Sequence, residues 1–396
     1  MMRLLILHNF YQQPGGEDTV FEAESALLGA HGHEVIRYTV NNDAINRFNI
    51  PKVLLDTFWS RKQYREVRDL IRSRRPDVVH LHNFFPLLSP SVIHAARAEG
   101  VPVVMSLHNA RLLCPQATFF RQGKLCTECL GKRFAWPGVV HECYHNSALA
   151  TATVAGMSAY HNWLGTWRTA VNRFVVFTPR WKDLFVQGGI PADKITIKPH
   201  FVDADPGPVQ PSAGYALFVG RLDPEKGIMT LLEAWRKLSE QGLRIPLKIR
   251  GAGRMEHEVA KMLHSGGLEH VEVIPWLERH SLQNLVRKAA FSVWPSEGYC
   301  ETFGLVAIES LAAGVPVVAS RIGTGEDLIS NGETGVHFTP GDADDLASKV
   351  TQLWANPQRL EAMRDLARQA YLDNYTAERN YQLMLDLYAS VRENGH

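Results

Sequence analysis

No apolar run in the sequence approaches the roughly eighteen consecutive residues that a bilayer-spanning helix needs, so no transmembrane segment is expected. The opening MMRLLILHNF holds only four apolar residues in a row before His8 and Asn9, too few for a secretory signal with its small-residue cleavage site. It reads as a first β-strand, and the chain is expected to be cytoplasmic, at most touching the inner face of a membrane. Excess charge is missing too: 42 basic against 41 acidic residues leave +1, which gives no ground for a nucleic-acid partner. Cysteine is scarce, five in 396 residues, and no open three-ligand motif suggests a catalytic metal.

What is present is length and alternation. A chain of 396 residues exceeds one ordinary core, so two domains are the default. Short apolar strands at Leu4 to Leu7, Val35 to Tyr38, Val78 to Leu81, Val103 to Leu107 and Phe174 to Phe177 alternate with helical patterns from about Asp18 to Ala30 and Lys62 to Ser73. That order predicts an α/β fold, a parallel sheet wrapped by helices. Residues 199–214 are rich in proline and glycine and lack apolar periodicity, as a linker should. The expected division is 1–199, a linker at 200–214, a second domain at 215–375 and a last helix at 376–396.

The most informative stretch is Pro295 to Ser320, PSEGYCETFGLVAIESLAAGVPVVAS, which follows an apolar strand ending at Trp294 and leads into another at Val317. In a strand-loop-helix-strand unit, ligands sit at the strand's carboxyl end, and the helix start offers unpaired N–H groups to an anion. The amides of Thr302, Phe303, Gly304 and Leu305 are placed for a phosphate. Glu301 and Glu309, with seven residues between them, could bond two polyols, although the same spacing also describes a solvated helix face. Upstream, Gly220-Arg221-Leu-Asp-Pro-Glu-Lys226-Gly227 sets a guanidinium and an ammonium in one loop before a helix, a fork and a point charge suited to a diphosphate. Pro14-Gly15-Gly16-Glu17 is either a tight turn or a close approach to a ligand. His82-Asn83 and His108-Asn109 end the third and fourth strands, where an imidazole could meet a sugar hydroxyl or a carbonyl.

Taken together, the phrases around Glu301 and Glu309 and around Arg221 and Lys226 resemble the E-x7-E and G-R-x5-K-G signatures of the retaining glycosyltransferases of family four. The resemblance implies the GT-B fold: two Rossmann-like domains facing across a cleft, with the last helix crossing back to the first. It implies a UDP- or GDP-sugar donor held mainly by the second domain and a carbohydrate or lipid-linked sugar acceptor on the first. Glu301 and His108 then reach the donor sugar, and Glu309 holds the ribose. Arg221 and Lys226 stabilise the leaving diphosphate, faced by Gly15 and Gly16, while the nucleotide lies near Gly251 and its base near Trp276. His82 becomes an acceptor-side candidate. Retention without a dedicated nucleophile, and without a cofactor, is the implied chemistry, by front-face substitution in polysaccharide or glycolipid synthesis. Two other readings share the fold: a nucleotide-sugar epimerase and a noncatalytic nucleotide-sugar binding protein.

Residues 111–147 hold Cys114, an eleven-residue gap, Cys126-Thr-Glu-Cys129, a thirteen-residue gap, and Cys143. Four thiolates with one C-x2-C pair could close a structural zinc site and pin a long loop, with His141 or His145 as substitutes. Free buried thiols and disulfides are the other readings. The stretch from Ala148 to Asn172, with Trp163, Trp167 and Arg168 near its end, suits either a helix packed on the first sheet or a membrane interface.

Overall fold

In the computed structural model the chain is described except at residues 13–14, 46–49, 209–213, 299–300 and 394–396. Pro14 of the glycine turn, part of the linker and Tyr299-Cys300 of the signature stretch therefore lie outside the described residues. The rest forms two units. The first takes in Met1–Phe119, Cys126–Pro199 and Asn380–His396, and the second Phe120–Leu125 and His200–Arg379.

Six parallel strands build the first unit's sheet: β1 (Arg3–Phe10), β2 (Glu34–Asn41), β3 (Val78–Leu81), β4 (Val103–Ser106), then β7 (Arg173–Val176) and β8 (Ile195–Ile197) after the hairpin β5 (Phe120–Arg121) and β6 (Lys124–Leu125). Their order is β2-β1-β3-β4-β7-β8. Leu4 to Leu7 are fully buried, which is why this strand reads as an unbroken apolar run: a parallel sheet is covered on both faces. The second unit holds β9 (Ala216–Val219), β10 (Leu247–Arg250), β11 (Val271–Ile274), β12 (Phe291–Trp294), β13 (Val317–Ser320) and β14 (Gly335–Phe338), in the order β11-β10-β9-β12-β13-β14. This is the doubly wound Rossmann order, in which the chain builds outward from β9 and then returns to its other side with β12.

Helical spacing supplies the cover. The helix Ile228–Glu240 buries Ile228, Leu231, Leu232, Trp235 and Leu238 along one stripe, and Trp235 donates its indole N–H to the Ile245 carbonyl at 2.9 Å. The last helix, Ala377–Glu393, buries Met384, Leu387, Tyr388 and Val391, and from Asn380 onward it belongs to the first unit. There the Asn380 amide carbonyl accepts from Lys198 at 3.2 Å, and the Tyr388 hydroxyl meets His80 Nδ1 at 2.8 Å. One difference from the expected boundaries stands out. Phe120–Leu125 groups with the second unit rather than with 1–199, because the Phe120 ring lies against Gly298, where an added Cβ would come within 2.7 Å of it.

Candidate nucleotide-sugar site

Strand order reverses in the second sheet between β9 and β12, and in open α/β sheets ligands bind outside the carboxyl ends of the strands at such a point. The loops that emerge there are the two the sequence singles out. They lock together at Gly227, whose φ of 69° is left-handed and whose added Cβ would stand 1.9 Å from the Pro295 carbonyl oxygen. Backbone bonding reinforces the contact, with Glu297 N donating to the Glu225 carbonyl at 3.0 Å.

This lock brings Lys226 to Glu301: the ammonium donates to the carboxylate, with both side chains largely covered. The Thr324 hydroxyl in turn donates to the Glu301 carbonyl. Arg221 is 65% exposed and pairs with Asp223 at 2.7 Å and, loosely, with Glu225 at 3.5 Å. Arg254, which sequence reasoning passed over, pairs with the same two carboxylates at 3.0 and 3.1 Å. Burial pushes the Asp223 carboxyl up, but hydrogen bonds from Arg254 and the charge of Arg221 outweigh it and hold the group below its usual range. Three cations thus hang on three carboxylates at the switch point. The only hint of Arg254 in the sequence is its place after the Gly251-Ala-Gly253 turn.

The helix Leu305–Ala312 begins at Gly304, with φ 90°, where an added Cβ would meet the Trp294 ring at 2.3 Å. Phe303 points inward, its ring 5.0 Å from that of His200 and 5.9 Å from that of Tyr375, so it offers a ligand its backbone amide alone. Thr302 and Leu305 are half-buried at the same helix start. Glu309 is half-buried one turn further on, and burial pushes its carboxyl up to about 7 against the pull of Arg279. Gly251 has a packing reason of its own: a Cβ there would stand 1.9 Å from the Gly220 carbonyl. Trp276 is 76% exposed after β11, the edge strand two places from the reversal. The structure thus joins the Arg221–Lys226 loop to the Glu301 segment, through Lys226 on Glu301 and Gly227 against Pro295.

In the first unit, Gly15 caps the helix Gly16–Ala30. Its N–H donates to Asp18 at 2.8 Å, and Asp18 also holds His8 Nε2 at 2.7 Å. A Cβ on Gly15 would meet nothing within 4 Å, so the fold itself does not demand glycine there. His108 is half-buried, its Nε2 3.1 Å from Nδ1 of His82, and burial holds both imidazoles well below their usual pKa, hence neutral. His82 is 2% exposed and lies against His108 at the end of the third strand. Among the described residues, one group of ligand atoms all within 4.8 Å of one another could hold a metal: Glu24, His80 and His82. Lys198 already fills the cation's role there, its ammonium 2.6 Å from Glu24.

The four cysteines of the insert are unbridged thiols, which removes the disulfide reading. They lie near one another: burial raises Cys129 to about 11, against a hydrogen bond from the Gly138 backbone, and Cys114, Cys143 and Cys126 each add to the rise. The helix Ala148–Trp163 buries Thr151, Val154, Ala155, Met157 and His161, so it is a packed helix, although Trp163 near its end is 80% exposed. Among the described residues no helix is long and apolar enough to cross a membrane.

The chain matches the family model Glycosyltransferase Family 4 over residues 14–206 and the model Glycosyl transferases group 1 over residues 207–372. It belongs to glycosyltransferase family four. A glycogen synthase of Mycobacterium tuberculosis is 29% identical over 320 residues, 77% of this chain and 66% of that protein, so the chain spans just under two thirds of that relative. Two solved structures share the GT-B fold. A glycosyltransferase from Rickettsia africae superposes with a TM-score of 0.72 at 16% identity, covering 99% of each chain. HepE of Anabaena, solved with UDP, gives 0.70 at 16% identity, over 98% of this chain and all of that one. The fold of the family-four enzymes is therefore the fold seen here.

Proposed function

We propose that the protein transfers a sugar from a nucleotide-diphosphate sugar to an acceptor hydroxyl in polysaccharide or glycolipid synthesis, with anomeric configuration retained and no metal in the chemical step. The observation that carries this reading is the switch point of the second sheet, where the loop of Arg221 and Lys226 locks onto the segment before Leu305 through Lys226 on Glu301 and Gly227 against Pro295. Guanidinium, ammonium and helix-start N–H groups together suit a diphosphate, and they stabilise the charge that develops as the diphosphate leaves. In this reading the phosphate oxygen takes the acceptor proton, Glu309 holds the ribose hydroxyls, and Glu301 and neutral His108 bond the donor sugar. The UDP bound by HepE supports a uridine donor, with a GDP-sugar as the other choice.

Two structural proposals accompany it. The four insert thiols bind zinc as a loop staple, for which they must draw in toward one another. The exposed side chains Trp136, Val140 and Trp163 touch the membrane surface from which a lipid-linked acceptor is drawn. The test of the main reading is proton NMR of the protein with UDP-, GDP- and ADP-sugars, with and without acceptor glycosides. Release of nucleoside diphosphate with an axial-type product is expected. An epimerised nucleotide sugar, or saturable binding with no turnover under any acceptor, overturns it.

A further inference from the structure

The cysteine-bearing insert carries cations as well as thiols, and the donor chemistry uses none of them. Within the first unit its turn from Cys129 to Ala135 packs near two helices, Ala148–Trp163 and Pro179–Gln187. An added Cβ on Gly131 would stand 3.7 Å from the Gln187 carbonyl, and one on Gly188 would strike the Leu113 side chain at 2.1 Å. The fit is not complete. A cavity of about 50 Å³ remains between the turn and the helices, lined by Arg111, Lys132, Arg133, Ser158 and Asn162 among others. That is room for roughly three or four waters or one tetrahedral anion, and too little for a sugar ring.

Its charge is one-sided. Three cations line it and no carboxylate does. Lys132 and Arg133 are exposed, neither forms an ion pair among the described residues, and the Lys132 ammonium rests 5.6 Å from the Trp136 ring. Capping of the nearby helix end does not account for them: the carbonyls of Leu184, Phe185 and Val186 already accept from Gly188, Ile190 and Gly189 at 2.9, 3.0 and 2.9 Å. In the wall, two buried polar atoms lack a hydrogen-bond partner among the described residues, Arg111 Nε and Ser158 Oγ. On the same helix Thr151 and Thr153 turn their hydroxyls to the carbonyls four residues back, at 2.7 and 2.9 Å; Ser158 does not. Arg111 is fixed 4.2 Å over the Phe85 ring, with Nη1 3.3 Å from the Pro115 carbonyl. Its charge reaches Glu17, whose carboxyl oxygens lie 3.5 Å from the Asn83 and Asn109 amides, yet the two form no ion pair among the described residues. A buried polar atom left open in a folded chain calls for a ligand or a water.

We infer that this cavity is an anion site for a phosphate ester group, with Lys132 and Arg133 at its mouth and Arg111 and Ser158 in its wall. Guanidinium forks and an ammonium match a tetrahedral oxyanion, and the Ser158 hydroxyl adds a neutral donor that a bare patch of surface charge lacks. Two sources share that chemistry, a free phosphate ester and a phospholipid headgroup. Trp136 and Trp163, each next to a residue or turn that lines the cavity, are 55% and 80% exposed, as suits a neighbour at a lipid surface. The site stands whether or not the second unit holds a nucleotide.

The experiment has two arms on the full chain: calorimetric titration with inorganic phosphate at fixed ionic strength, and sedimentation with phosphatidylcholine vesicles with and without phosphatidic acid. Wild type is compared with Lys132→Ala/Arg133→Ala and with Ser158→Ala, each required to melt natively. Saturable binding is expected in the wild type, about tenfold weaker in the double variant and about fivefold weaker in Ser158→Ala. Vesicle binding that needs phosphatidic acid and falls in both variants supports the site with a headgroup as its ligand. Phosphate binding that falls in both, without vesicle binding, supports it with a free ester. No binding in the wild type by either arm, or unchanged binding in both variants, overturns the inference. So does a loss confined to the double variant, which would mean diffuse surface charge and no built cavity.

Discussion

Replacing Lys226 by alanine separates chemistry from folding. In the ligand-free chain its ammonium is spent on Glu301, with the two side chains 14% and 23% exposed, so the pair is neither fully screened nor deeply buried. Losing it and leaving Glu301 uncompensated should cost about 1–2 kcal/mol. Against the ~5–15 kcal/mol by which domains are stable, the variant still folds, with a melting temperature lower by about 2–8 °C. Turnover is another matter. One preorganised donor aimed at charge that develops in the transition state contributes about 3–4 kcal/mol, and about 1.4 kcal/mol is tenfold in rate. Lys226→Ala should therefore release nucleoside diphosphate about 10²- to 10³-fold more slowly than wild type, measured under single turnover with circular dichroism as the folding control. A natively folded variant within threefold of the wild-type rate would refute the assignment of Lys226 to the leaving diphosphate. A melting loss well beyond the stated range would instead make it a structural residue.

Other consequences follow from particular groups. Gly227→Ala forces a side chain into a left-handed backbone 1.9 Å from the Pro295 oxygen; it should lose more than about 4 kcal/mol in urea titration or fail to fold, whereas Gly15→Ala, with open space around it, should change stability by less than about 0.5 kcal/mol. Burial sets the Glu309 carboxyl near 7, above its unfolded value of 4.5, so the native state holds its proton longer. The stability this group gives is complete below 4.5 and lost as pH rises to about 7, and Glu309→Gln should raise stability at pH 8 by up to about 3 kcal/mol. If Glu309 holds the ribose as proposed, the ionised carboxylate is the form that accepts from both hydroxyls, and UDP or GDP affinity by calorimetry should rise between pH 6 and 8 in wild type and stay flat in that variant. Purified protein should carry about one zinc per chain, replaceable by cobalt with a thiolate charge-transfer band, and Cys126→Ser with Cys129→Ser should abolish it.

The proposed donor side could be named from the sequence because its residues are local in the chain. Arg221 and Lys226 sit in one loop, and Glu301 and Glu309 flank one helix start. Residue types and spacings there suffice to propose the chemistry. Arg254 was missed because its meeting with Asp223 and Glu225 depends on β10 lying next to β9. The near-complete burial of His82 could not be read, because a histidine at a strand end looks the same from the sequence whether it is open or lies beneath its neighbour. Nor could the sequence show that Gly251 has a packing reason of its own, since the Gly220 carbonyl that demands its missing Cβ lies on a neighbouring strand's end. In the insert, the thiols could be counted but not their state.

By itself, then, the sequence determined the α/β alternation and the two sheets, and it placed Arg221 and Lys226 in one loop, since each rests on periodicity or on residues a few positions apart. Only the tertiary structure decided which charges neutralise one another at the switch point, that Trp276 stands at the sheet edge, and that Glu17 meets Asn83 and Asn109. Those meetings join residues 29 to 92 positions apart. Strand order alone brings such groups together, and strand order follows from how the whole sheet buries its apolar faces.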